Sequence, residues 1–249
     1  MPPTPLLLFA IAVIFVAAIV RGFSGFGFSL ISITALSFVF KPVEVIGAVF
    51  LMEIAASLNL LPGIWRKINW KALAWLTAGA VLATPAGVYL LARVPEAPMR
   101  LALGLFVLVT VVALLSGFAL KRAPGRAATF GAGAASGLLN GAFGIGGPPA
   151  ILFFFSSPAG AAAGRATLIA YFIATDAIGI VNQLSQGLLA IDHVWKALLF
   201  LPPLLIGVAI GARAFKSVDE ALFRQIVLVL LGLMALVMIG ISVRDLKLW

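Results

Sequence analysis

Arg21-Gly-Phe-Ser-Gly-Phe-Gly-Phe28 recurs in altered form 119 positions later, as Asn140-Gly-Ala-Phe-Gly-Ile-Gly-Gly147. We call these stretches break 1 and break 2, because each interrupts a long apolar run. A glycine inside a helix costs about 1 kcal/mol relative to alanine. In a membrane, broken backbone is tolerated only where protein buries it or where it lines a polar cavity. The matched stretches therefore predict two equivalent broken helices, with glycines in register at Gly22, Gly25 and Gly27 and at Gly141, Gly144 and Gly146.

The composition identifies the class of protein around these breaks. Of the 249 residues, 63% are hydrophobic and only 10% are charged, and the mean hydropathy is +1.20. Soluble domains carry about 25% charged residues, so this chain is predicted to be a polytopic membrane protein. The net charge of +9 comes from Lys and Arg scattered between apolar runs. That scatter favours anchoring in the lipid bilayer and argues against nucleic-acid binding.

The apolar runs predict an all-α fold. A helix needs about 20 residues to cross a bilayer, and six uninterrupted runs are long enough alone. The pieces that flank each break are shorter, so each break is either a kink in one crossing or a turn between two. The predicted segments are 5–20 and 28–40 around break 1, 128–139 and 148–156 around break 2, and 43–62, 73–92, 99–119, 160–187, 194–212 and 221–242.

The repeat extends beyond the two breaks. Trp70-Lys-Ala-Leu73 resembles Trp195-Lys-Ala-Leu198, with the elements in the same order. We therefore predict two homologous halves, residues 1–120 and 127–249, joined by a short basic linker at 121–126. Each half is predicted to contain one glycine-broken or re-entrant helix and three spanning helices.

The basic residues bear on how the halves are oriented. If each break is a turn between two crossings, the 17 Lys and Arg residues divide 11 to 6 between the two faces. The richer face is then predicted to be cytoplasmic. An odd number of crossings per half makes the repeats inverted, an arrangement common among transporters. The richer face would hold Arg66, Lys67, Lys71, Lys121, Arg122, Arg126, Arg213 and Lys216.

The breaks are themselves candidate binding sites. Where a helix is interrupted, the next half-helix presents unpaired backbone N–H groups, equivalent to about half a positive charge. Glycines let a ligand approach that backbone closely, and Gly147 begins a second half-helix that continues with two prolines. The seven break glycines are thus predicted to bind a small anion near the membrane midplane. The alternative is that they only permit close packing of helices.

Four polar residues accompany the breaks. Arg21 and Asn140 precede the two breaks at equivalent positions. Arg21 is either a buried ligand for an anion or an anchor at the membrane surface. Glu53 and Asp176 lie inside apolar segments, and Asp176 corresponds to Ser57 of the first half. Both acids are candidates for proton coupling, with a structural hydrogen bond as the alternative.

Other residues exclude several classes of activity. The chain has no cysteine, and His193 is its single histidine, in a predicted loop beside Asp192. A soft-metal site therefore has no ligand set. There is no P-loop and no recognisable hydrolase motif, and no bound cofactor is expected. Arg165 is predicted to be an interfacial anchor.

The breaks, the Gly-Ile-Gly-Gly-Pro run at 144–148 and the Ala-Gly-Arg-Ala-Thr stretch at 163–167 resemble the TauE/SafE family of sulfite exporters. The resemblance covers nearly the whole chain. It implies a multi-pass protein of the bacterial inner membrane that exports sulfite or another small organosulfur anion.

The resemblance and the helix-end argument lead to one predicted function. The chain is expected to be a secondary transporter of a small anion, and not an enzyme. One alternative is transport of a different anion, such as a carboxylate or an amino acid. Others are an intramembrane enzyme that uses Glu53 and Asp176 as acid and base, and a membrane scaffold. Both a monomer and a homodimer are compatible with the sequence.

Overall fold

The computed structural model describes residues 4–116, 125–155, 161–214 and 220–247, and all regular structure in these ranges is helical. Most of the predicted linker, along with Lys216, lies outside them. The helices are α1 (Thr4–Ser24), α2 (Phe28–Leu36), α3 (Pro42–Leu60), α4 (Trp70–Arg93), α5 (Glu96–Leu115), α6 (Arg126–Phe143), α7 (Gly147–Phe155), α8 (Ala161–Ser185), α9 (Ile191–Ala214) and α10 (Glu220–Lys247), with 3-10 turns at Leu61–Gly63 and Trp65–Lys67.

Seven helices of the described ranges are long and apolar enough to cross a membrane: α1, α3, α4, α5, α8, α9 and α10. The predicted all-helical, polytopic architecture is therefore confirmed. The two helices that follow the breaks, α2 and α7, have only nine residues each. At about 1.5 Å per residue they extend for less than half of the hydrocarbon core.

At break 1 the chain reverses direction. Leu7 and Ala10 near the start of α1 line the same small apolar cavity as Leu36 at the far end of α2 and Phe40 just after it. The helix ends remote from the break thus lie together, which requires α2 to run back along α1. Break 1 is consequently a turn and not a kink within one straight crossing.

The chain also turns back at break 2. The Ser136 hydroxyl of α6 donates a hydrogen bond to the Gly146 carbonyl, ten residues further along the chain. A Cβ atom placed on Gly146 would lie 3.1 Å from the Ser136 carbonyl oxygen. The backbone that enters α7 therefore lies beside the helix that precedes the break.

Two pairs of helices pack in parallel at very close range. In the α1–α9 pair, a Cβ on Gly22 would lie 2.2 Å from the Val208 carbonyl oxygen, and one on Gly211 would lie 2.0 Å from the Ile19 carbonyl oxygen. In the α4–α6 pair, Gly79 meets Phe130, Gly87 meets Leu138 and Gly141 meets Thr84 in the same way. Residue numbers increase together along both pairs, so each pair is parallel. Only glycine lets helix backbones approach this closely.

The centre of the bundle is formed by α3 and α8, which cross in antiparallel directions. Gly47 at the start of α3 contacts Gln183 near the end of α8, and Phe50 contacts Gly179. At the opposite end of the bundle, the Asn69 N–H beside the start of α4 donates a 2.9 Å hydrogen bond to Thr167 near the start of α8. We call this the basic end, because α4, α6 and α8 begin there and it carries Arg66, Lys67, Lys71 and Arg126.

Candidate functional site

Arg21 lies at the end of α1 and is completely buried. Its Nη1 donates a 2.8 Å hydrogen bond to the Gly25 carbonyl and lies 3.1 Å from Glu53 Oε1. Its Nη2 donates a 2.6 Å hydrogen bond to Ser57 Oγ, and the guanidinium carbon stands 4.6 Å from the centre of the Phe172 ring. Of the two predicted locations for Arg21, the buried one is observed.

Asn140 occupies the equivalent place at the end of α6. Its Oδ1 accepts a 3.0 Å hydrogen bond from the Gly146 N–H, and its Nδ2 donates a 3.2 Å hydrogen bond to Asp176 Oδ1. Both side chains are buried. The Gly144 N–H closes the last turn of α6 on the Asn140 carbonyl at 2.8 Å. Asn140 therefore ties the second break to α8, as Arg21 ties the first break to α3.

These contacts recur at the 119-residue offset of the sequence repeat. Arg21 corresponds to Asn140, and its acceptor Ser57 corresponds to Asp176, the acceptor of Asn140. Both hydrogen bonds join residues that are 36 positions apart. The positions of donor and acceptor are thus the same in each half, while their chemistry differs: a cation and a hydroxyl in one, an amide and a carboxyl in the other.

The two breaks meet at Phe172. One face of its ring contacts the Arg21 guanidinium, and its Cζ would lie 3.5 Å from a Cβ placed on Gly147. Ser29, at the start of α2, lies close to Glu53. Both breaks, α3 and α8 therefore contribute to one buried site, which we call the central cluster: Arg21, Glu53, Ser57, Asn140, Phe172 and Asp176.

The central cluster contains one cation and two carboxyl groups. Asp176 lies within electrostatic range of both Glu53 and Arg21. Within the part of the chain that the structure describes, Asp176 Oδ2 and Arg21 Nε are buried without a hydrogen-bond partner. An unpaired buried polar group costs about 1–3 kcal/mol. The cluster thus offers a free donor and a free carboxyl oxygen, which a ligand and a proton could occupy.

Five of the seven break glycines fall into two groups by geometry. Gly25, Gly27 and Gly144 have φ angles of 80°, 90° and 68°, in the left-handed region that favours glycine. These three form the turns. Gly22 and Gly141 instead lie at the helix crossings already described, so the packing alternative describes their geometry. Gly144 contacts the side chains of Ile33 and Ile46.

Two residues are placed differently from the sequence expectation. Arg165 is not a simple interfacial anchor, because its half-buried side chain crosses to break 1 and its Nη2 donates a 2.8 Å hydrogen bond to the Gly22 carbonyl. His193 does not lie in a loop: it sits in the first turn of α9 and is only 7% exposed. Among the described residues, no group of three His, Cys, Asp or Glu side chains could hold a metal ion.

Phe172 was not predicted from the sequence, and Ser57 was identified only as the counterpart of Asp176. Both could have been found from the repeat, because Phe172 stands 119 positions after Glu53. Two further residues lie beside break 2: the Ser136 hydroxyl donates to the Gly146 carbonyl, and the Tyr171 hydroxyl donates a 3.5 Å hydrogen bond to the Gly133 carbonyl. Neither belongs to a recognisable motif, and Tyr171 reaches α6 only because α6 and α8 are packed together.

The fold and this site define a multi-pass membrane transport protein with two backbone breaks gathered around buried charges. The family description "Sulfite exporter TauE/SafE" matches residues 10–238, and the chain belongs to that family. A relative from Cupriavidus necator, named "Probable sulfite/organosulfonate exporter TauE", is 30% identical over 226 residues, which is 87% of each chain. No solved structure matches the chain. Members of this family are transporters, so the intramembrane-enzyme alternative is excluded.

Proposed function

We propose that this protein moves sulfite or a small organosulfonate across the bacterial inner membrane, and that the anion binds at the central cluster. The proposal rests on the family and on the name of the relative from Cupriavidus necator. The observation that carries the site is the fully buried Arg21 beside break 1. A buried guanidinium is a strong ligand for oxyanions, because its planar N–H groups match two oxygens at once.

The breaks add donors to this site. The first turn of α2 begins at Phe28, and that of α7 begins at Gly147. Helix amino ends attract anions through backbone N–H groups. Ser29 in α2 lies close to Glu53, and Gly147 contacts Phe172, so both helix starts border the central cluster. An oxyanion at Arg21 would therefore lie between two favourable helix ends.

The charges of the cluster imply that a proton accompanies the anion. With Glu53 and Asp176 both ionised, the cluster has a net charge of −1 and repels an anion. Glu53 also forms an ion pair with Arg21 at 3.1 Å. An anion that binds Arg21 would have to break this ion pair. Protonation of Glu53 frees the guanidinium, and protonation of Asp176 removes the remaining negative charge. Anion binding is thus coupled to proton uptake by these two acids.

We further infer that the two halves are inverted repeats. Helix α1 runs parallel to α9 and α6 runs parallel to α4. Since α1 starts beside α3 and α9 while α6 starts at the basic end beside α4 and α8, the equivalent helices α1 and α6 run in opposite directions. Each half then has five helices, and the short α2 and α7 return the chain from each break. This arrangement places the two breaks on either side of the α3–α8 crossing.

The basic end is assigned to the cytoplasm by the excess of positive charge. Export then moves the anion from the basic end, past break 1, through the central cluster and out past break 2.

The test is transport by the purified protein in liposomes. Labelled sulfite should accumulate in protein-containing liposomes and not in empty ones, and unlabelled sulfonates should compete. Strong competition by acetate or glycine, with none by sulfonates, would identify the carboxylate or amino acid transporter instead. Absence of movement of every anion, in protein shown to be folded, would overturn the proposal.

A further inference from the structure

Arg165 is the second guanidinium at break 1 and lies outside the central cluster. Its aliphatic chain lies flat on the turn: a Cβ placed on Gly25 would lie 2.7 Å from Arg165 Cγ and 3.3 Å from Cδ. Its head group holds the Gly22 carbonyl. Arg21 holds the Gly25 carbonyl from the inner side. The two arginines therefore bracket the same turn, and each neutralises a carbonyl at the negative end of α1.

The two arginines differ in their access to water. Arg21 is fully buried, whereas Arg165 is partly exposed and belongs to the second turn of α8, at the basic end. From the surface inward, the order is Arg165, the turn at Gly25, Arg21 and Glu53. An anion that approaches from the basic end thus meets Arg165 first and Arg21 next.

Among the residues that the structure describes, no such cation covers the second break. The residue of the first half that corresponds to Arg165 at the 119-residue offset is Ile46, and its side chain covers Gly144 in the same manner, at 2.9 Å from a Cβ placed there. Each break is therefore covered by a side chain from the other half, but one cover is cationic and the other is aliphatic. The two ends of the path are chemically different even though their backbones correspond.

From this asymmetry we infer that Arg165 is the capture site for the anion on the basic end and the gate over break 1. The inference rests on the proposed function of the central cluster. In the observed state the guanidinium closes the turn by holding a neutral carbonyl. An oxyanion forms stronger, charge-assisted hydrogen bonds than a carbonyl does, so it draws Arg165 off Gly22. Release of Gly22 opens the turn, and the anion passes to Arg21.

The test measures transport separately from the two sides of the membrane. Inside-out and right-side-out vesicles would take up labelled sulfite, with Arg165→Gln compared with wild type and with Arg126→Gln. Arg126 is an exposed arginine at the same end of the bundle, so its change matches the loss of surface charge. For Arg165→Gln, the half-saturating sulfite concentration should rise about 10- to 100-fold when the basic end faces the medium. The half-saturating concentration should stay within about twofold of the wild-type value in the other orientation, and for Arg126→Gln in both orientations.

Any other pattern of half-saturating concentrations in the two orientations contradicts the inference. Equal increases from both sides would mean that Arg165 only supports the fold, and no increase from the basic end would remove it from the path. Arg165→Lys keeps the charge but loses the planar fork, so it should give an intermediate increase from the basic end alone. If Arg165→Gln does not accumulate in the membrane, Arg165→Lys provides the test: an increase in half-saturating concentration from the basic end alone supports the inference, and any other result contradicts it. Failure of the wild-type protein to move sulfite in either orientation would instead reject the proposed function.

Discussion

Glu53 and Phe172 both contact the Arg21 guanidinium, and they occupy the same position of the two sequence repeats. One provides a carboxylate at 3.1 Å and the other an aromatic face at 4.6 Å. Arg21 thus contacts the same position of both repeats. That position is titratable only in the first half, where it is Glu53. In the proposed mechanism, a proton on Glu53 would control whether Arg21 is paired or available.

Glu53→Gln should make anion binding tighter and less dependent on pH. Glutamine imitates the protonated acid and leaves Arg21 free at every pH, so the pH dependence that remains should come from Asp176. For the wild type, affinity should rise as pH falls, because protonation of Glu53 opens the ion pair. A sulfonate of constant charge, titrated calorimetrically in mildly acidic and mildly alkaline buffers, measures both effects. Equal pH dependence in the two proteins would show that Glu53 is not the controlling group.

Asp176→Asn should weaken the coupling of protons to transport without abolishing binding. The asparagine is neutral at every pH and can still accept the hydrogen bond from Asn140. Proton movement that accompanies sulfite uptake, followed with a pH-sensitive dye inside liposomes, should fall while the sulfite signal persists. Unchanged proton movement in both Asp176→Asn and Glu53→Gln would remove the coupling role from these acids.

Asn140→Leu should reduce transport more than Asn140→Asp does. Leucine leaves the Gly146 N–H and Asp176 without their shared partner, at a cost of about 1–3 kcal/mol for each buried group left unpaired. Aspartate still accepts from the Gly146 N–H, although it adds a charge beside Asp176. Initial rates of labelled sulfite uptake, normalised to the amount of folded protein, provide the comparison. If both variants transport at the wild-type rate, break 2 is not part of the site.

Gly141→Ala should destabilise the protein, while Gly131→Ala in the same helix should not. A Cβ on Gly141 would lie 2.4 Å from the Thr84 carbonyl oxygen, so α4 and α6 would have to separate. Gly131 has no atom within 4 Å of its notional Cβ, and alanine there favours the helix by about 1 kcal/mol. The thermal midpoint in detergent should fall for Gly141→Ala and stay level or rise for Gly131→Ala. A fall of equal size in both would contradict the observed packing.

The sequence was sufficient for much of the fold and for the main residues of the site. Hydropathy predicted the spanning helices because the bilayer sets their length and polarity, and the repeated glycines located the breaks. The buried location of Arg21 was one of two alternatives, since its segment could cross either fully or partly. Its hydrogen bond to Ser57 was not predicted, although the 119-residue offset relates Arg21 and Ser57 to Asn140 and Asp176.

Contacts between the two halves could not be predicted. Arg165 is 143 positions away from the carbonyl that it binds, and nothing in its own segment indicates that α8 begins beside break 1. The parallel α1–α9 and α4–α6 pairs could not be predicted either. Glycine spacing indicates close packing of helices, but it does not identify the partner helix. The placement of His193 in α9 was missed since its flanking residues resemble a loop.

The most direct test of the central claim is equilibrium binding of a sulfonate to purified Arg21→Gln, with and without Glu53→Gln. If Arg21 is the anion ligand, Arg21→Gln should lower the affinity at least about tenfold, and the double variant should not recover the tight binding of Glu53→Gln alone. Thermal midpoints measured in parallel confirm that each variant is folded. Wild-type affinity in folded Arg21→Gln, or full recovery in the double variant, would show that the anion binds elsewhere.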